Sequence, residues 1–108
     1  MPLKKSDSGS WNSDTTYKKR GGQNMTFKVK NINVLGTTLT IESNTGDSVS
    51  KIILPQTTAE FEFTYFTSEP YAWKFDISTN SDAFIVTWEL YSTWIEGDPP
   101  NPRENEKS

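Results

Sequence analysis

Large apolar residues recur on alternate positions over much of this chain. Phe61, Phe63 and Tyr65 form one such series, Tyr71, Trp73, Phe75 and Ile77 a second, and Phe84, Val86, Trp88 and Leu90 a third. A period of two places side chains on one face of a pleated strand, so these runs predict strands lining one side of an antiparallel sheet. Phe27 and Val29, between Lys28 and Lys30, predict an earlier strand, and Leu39 and Ile41, between Thr38, Thr40 and Glu42, predict the next. Further strands are expected over 49–54, 60–66, 71–77 and 83–94, the last being the longest. Turn chemistry separates them at Asn44-Thr45-Gly46-Asp47, at Ser68-Glu69-Pro70 and over 78–82. Short strands at this spacing, without helical periodicity, predict an all-β fold. It should be a small antiparallel β-sandwich, or flattened barrel, of about six to eight strands with flexible polar termini.

The polar ends set the expected boundaries. Residues 1–24 carry Lys4, Lys5, Lys18, Lys19 and Arg20 against Asp7 and Asp14, and only Leu3, Trp11 and Tyr17 as large apolar groups. This reads as a basic arm, flexible or docked, with Trp11 as an anchor onto this domain or a neighbouring subunit. Residues 25–95 form the expected sandwich domain. Residues 96–108 begin with Gly97-Asp98-Pro99-Pro100, which cannot continue a strand, so they form an extended Pro-rich acidic tail. Pro99, Pro102 and Arg103 approach a Pro-rich ligand motif but lack the residue required before the basic group.

Composition then narrows the chemistry. The chain has 108 residues, 32% hydrophobic but 13% aromatic, so a small core must rely on large rings. Cysteine and histidine are both absent. That excludes a thiol nucleophile, a Ser–His pair, a Cys/His zinc or haem site and a histidine pH switch. Glu60 and Glu62 are a carboxylate pair, but their spacing puts both on a solvated strand face and not across a cleft. Asp76, Asn80 and Asp82 could offer oxygens to calcium, yet they lack the spacing of a calcium loop. No catalytic residue, metal or cofactor is expected, and the protein reads as no enzyme. Lys18-Lys19-Arg20 beside Tyr17 is a small basic patch, but residues 25–95 carry four lysines against eight acids, which opposes nucleic acid. Asn24-Met25-Thr26 matches a glycosylation sequon. No run approaches the ~18–20 apolar residues of a membrane span, and no signal peptide is visible. Location stays open, with an extracellular or virion-associated setting favoured over the cytosol.

Phase separates core rings from free ones. Trp73 and Trp88 keep step with their apolar series and belong to the core. Phe66, Ile85 and Tyr91 fall out of step and should point outward, with Ile53 joining them. Trp94 shares the phase of Trp88 at the strand's end, where it either caps the core or stands at the rim. Tyr91, Trp94, Ile85, Phe66 and Trp11 are therefore the candidate partner-binding residues.

The run FKVKN…TLTIES…SKIILPQTTAEFEF resembles small β-sandwich proteins in which a Pro-containing turn precedes an alternating strand. These include immunoglobulin-like modules, lectins, virion decoration proteins and toxin components of the aegerolysin type. The resemblance implies the fold and no single function. The expected role is a non-catalytic binding module that presents an aromatic-bearing surface to a protein or cell-surface glycan. The alternatives are a structural assembly protein, which would form a homo-oligomer, and a small membrane-active toxin component.

Overall fold

The computed structural model describes residues 2–80 and 84–101. Within them the chain forms eight strands and no helix. These are β1 (Lys4–Trp11), β2 (Thr15–Gly21), β3 (Asn24–Asn31), β4 (Thr37–Ser43), β5 (Ser48–Ile53), β6 (Thr58–Thr64), β7 (Tyr71–Thr79) and β8 (Val86–Ser92). One sheet runs β1-β8-β3-β6 and the other β2-β7-β4-β5, with every neighbouring pair antiparallel. Only β4 and β5 form a hairpin; each other connection crosses between sheets. Eight strands in this double Greek-key order make a jelly roll, so the expected antiparallel sandwich is the fold.

Alternation explains why the two sheets close on each other. In β7 every second residue from Trp73 to Ile77 is buried and the residues between them are exposed. Phe27, Val29, Phe61, Phe63, Val86, Trp88 and Leu90 supply the facing layer from the other sheet. Ring packing is dense: Trp73 stacks on Phe75 with centroids 5.4 Å apart, and Phe75 meets Phe27 edge-on at 4.8 Å. Trp73 and Trp88 are 1% and 5% exposed, which places both in the core as their phase requires.

The N-terminal arm is where the expected boundaries shift. Residues 4–21 are two strands, one at an edge of each sheet, so the sandwich begins at Lys4 and not at residue 25. An edge strand here buries little and needs no apolar period. In β1 only Trp11 is buried. Its ring stacks on Trp88 at 4.9 Å, and Tyr17 of β2 meets the same indole edge-on at 4.9 Å. Between these edges Asp7 sits beside a bulge in β1 and accepts a 2.6 Å hydrogen bond from the Tyr17 hydroxyl. A carboxylate and a bulge on an edge also discourage pairing with another chain. On the opposite side Lys51 Nζ donates to the Glu60 carbonyl at 2.6 Å and clips β5 to β6.

The C-terminal segment also folds back. Glu69 is 4% exposed and accepts hydrogen bonds from the Gln23 amide, the Thr93 hydroxyl and the Asn101 side chain. Backbone pairing of Glu69 with Asn101 completes the knot. The acidic tail from residue 102 lies outside the described residues. The last strand, expected over 83–94 as the longest, is β8, Val86–Ser92, with 7 residues against 9 in β7; Ala83 lies outside the described residues. Ile53, expected to face outward, is 1% exposed, whereas Ile52 is 71% exposed. Asn31 draws that backbone inward by bonding the Ile53 carbonyl, and this fixes the phase of β5. Tyr65, expected in the inward series after Phe61 and Phe63, lies past the end of β6 and is 41% exposed.

Candidate functional site

One end of the sandwich gathers the loop after β3, the turn between β5 and β6, and the segment entering β8. The residues there are unusual for loops. Ile32, Val34, Leu35, Leu54 and Ile85 are all exposed, Val34 and Leu35 by 90% and 75%. Ile52 adds a further exposed aliphatic on the outer face of β5. Single exposed aliphatics are ordinary, but a group of them on converging loops is a candidate contact surface. Residues 31–41 and 52–59 contain no Asp, Glu, Lys or Arg. Depletion of charge is what distinguishes the centre of a protein interface from the rest of a surface.

Asn31 holds these segments together. It is fully buried at the end of β3, and its Nδ2 donates to the carbonyls of Leu35 at 2.9 Å and Ile53 at 2.8 Å. Its Oδ1 accepts from the Asn33 amide at 2.8 Å. Its backbone pairs with Thr57 and Gln56. Asn33 continues the chain of bonds, its Oδ1 accepting the Ile85 amide at 2.9 Å, while the Ile32 amide donates to the Ile85 carbonyl. Leu54 begins a turn closed by the Thr57 amide, with Gln56 at a φ of 62° where glycine is the usual occupant. Such a backbone costs of order 1 kcal/mol, so the surrounding bonds must impose it. The aliphatic loops are thus pre-set rather than loose.

The five sequence candidates do not assemble into one site. Ile85 belongs to the apolar end. Phe66 is 55% exposed at the opposite end, beyond β6. Tyr91 is half-buried on the outer face of the first sheet, where Lys28 Nζ lies 4.7 Å from its ring centre. Trp11 and Trp94 are corrected by their burial, 7% and 4% exposed. Trp11 docks on its own domain by completing the Trp88 stack. Trp94 is buried outside the main core cluster: its Nε1 donates to the Pro99 carbonyl at 3.0 Å and Arg20 covers its ring. Ile32, Val34, Leu35 and Leu54 were not among the candidates because alternation assigns no direction to loop residues, and Ile52 was missed because the phase of β5 was read one residue out. The legible signal was an aliphatic loop, Ile32-Asn33-Val34-Leu35, where turn positions are usually polar.

The acidic candidates lie apart. Glu60 and Glu62 are exposed on the outer face of β6. Asp76 accepts from the Thr16 hydroxyl at 2.8 Å, and Asp82 lies outside the described residues. Among the described residues no three acids gather in a metal-binding group, and no helix is long and apolar enough to cross a membrane. No family profile, curated protein or solved structure matches this chain.

Proposed function

We propose that this protein is a non-catalytic binding module whose contact surface is the apolar end, which seats in an apolar groove of a partner protein. The observation that carries this reading is the cluster of exposed aliphatic side chains on converging segments, of which 31–41 and 52–59 carry no charge, pinned by Asn31. Pinned loops lose little conformational freedom on binding, which conserves affinity. Burying an exposed Val or Leu contributes roughly 1.5–3 kcal/mol, so Val34 and Leu35 alone can dominate such a contact. Aliphatic rather than aromatic exposure moves the expected surface away from ring stacking and toward protein recognition.

Peptide-display selection against the folded protein tests the proposal. Selected peptides should bind the wild type and bind Val34→Ser/Leu35→Ser about 30-fold or more weakly, from the loss of about 2 kcal/mol or more. Peptides indifferent to that substitution contradict it. Flotation with phosphatidylcholine vesicles, lost in the same variant, would replace a protein partner with a bilayer. A dimer in sedimentation that the variant abolishes would replace it with self-assembly.

A further inference from the structure

The outer face of the second sheet carries a different feature, toward the end remote from the aliphatic loops. Lys18 of β2 and Lys74 of β7 are direct cross-strand partners, and both are exposed. Like charges in that relation repel and weaken a strand pair. Neither ammonium takes part in an ion pair among the described residues. Arg20 lies two residues along β2, opposite Ala72. The single methyl of Ala72 among these long side chains leaves a hollow of about 390 Å³, the size of a small-ligand site.

Asn44 and Arg20 are held in place. Asn44 Nδ2 donates to the Ala72 carbonyl at 3.0 Å, and Asn44 Oδ1 accepts the Lys74 amide at 3.1 Å. Arg20 is held by two bonds to Glu96, of 3.0 and 2.9 Å, which offset much of its charge. The uncompensated charge is therefore that of the lysines. Past Asn44, whose Nδ2 is 3.4 Å from the Tyr71 hydroxyl, the rings of Tyr71 and Tyr65 pair at 4.9 Å.

We infer that this hollow binds a sulfated oligosaccharide, with one sulfate between Lys18 and Lys74 and an adjoining sugar ring reaching the Tyr65–Tyr71 pair. An anion there relieves the repulsion between the lysines and gains charge-assisted hydrogen bonds. The positive stretch is short. Asp76, next on the same face of β7, lies opposite Glu42, and Glu96 borders the other side. A nucleic-acid strand following the face would run onto these carboxylates, whereas one sulfate group fits between them. The nearby amide and tyrosine rings suit the hydroxyl rim and apolar face of a sugar.

Titration calorimetry with a heparin-derived tetrasaccharide at low salt tests this. Binding by the wild type should weaken at least about tenfold in Lys18→Ser/Lys74→Ser, the loss expected for charge-assisted bonds. Ala72→Leu, which fills the floor without changing charge, should weaken it comparably. Lys28→Ser/Lys30→Ser, an equal charge change on the other sheet, should leave it within about twofold, as should Val34→Ser/Leu35→Ser; affinity should fall with added salt. Near-ultraviolet circular dichroism checks that each variant keeps its packed rings. No binding by the wild type overturns the inference. So does equal weakening by the Lys28/Lys30 pair, equal binding of the desulfated tetrasaccharide, or equal binding of a single-stranded oligonucleotide.

Discussion

At the residue scale, a few polar side chains decide how an aromatic core is closed. Asn31 bonds two carbonyls and one amide from a fully buried position. Asn31→Ala strands those groups in a buried site, and urea unfolding should show a loss of about 2–4 kcal/mol. A loss under about 1 kcal/mol would mean that the apolar loops are held by something else. Tyr17 gives a pH test. Burial and the neighbouring Asp7 carboxylate push its phenol well above the ordinary value. Burial alone would raise Asp7, but its bonds from Tyr17 and the Ser8 amide outweigh that and hold it below the ordinary value. Raising a phenol's folded pKa adds stability that is complete below its unfolded value, about 10, and is lost as pH climbs past it. Thermal unfolding should therefore fall more steeply above about pH 10 in the wild type than in Tyr17→Phe. Parallel curves would remove Tyr17 and Asp7 from the link between the two sheet edges.

At the element scale, Trp11→Ala tests whether β1 belongs to the folding unit. It removes the ring stacked on Trp88 and should cost about 3–5 kcal/mol, measured by denaturant unfolding. An arm that merely trails from the domain would give almost no change. Strands β3, β4, β7 and β8 were legible because a strand between two neighbours buries a whole face, and period two then records that face; β6, although an edge strand, carries the same signal in Phe61 and Phe63. Trp73, Phe75 and Ile77 are an unbroken example. β1 and β2 were not legible as strands, since edge positions ask only for Trp11 and Tyr17 to point inward and leave the rest polar. Ile52 and Ile53 show the same limit at another edge. Either could have been the buried member, and a hydrogen bond from Asn31, distant in sequence, selects Ile53. The apolar end was hidden for a related reason. Its residues occupy three separate loops, and only the closed double Greek key brings them together.

At the scale of the whole molecule, the jelly roll separates chemistry between its ends. Most aromatic content, prominent in the sequence, is consumed by the core; the large apolar side chains left exposed are aliphatic at one end and Leu3, Tyr65 and Phe66 at the other. The large exposed apolar groups near the first end sit where the chain carries no charge, while lysines and carboxylates occupy the outer faces. The proposed role is that this frame presents the aliphatic end to a partner. Amide chemical-shift mapping with a peptide selected for binding tests that most directly. Perturbations should concentrate in residues 31–36, 53–57 and Ile85. Shifts centred instead on the outer face around Lys28 and Tyr91, with the aliphatic loops unmoved, would contradict a recognition surface at this end.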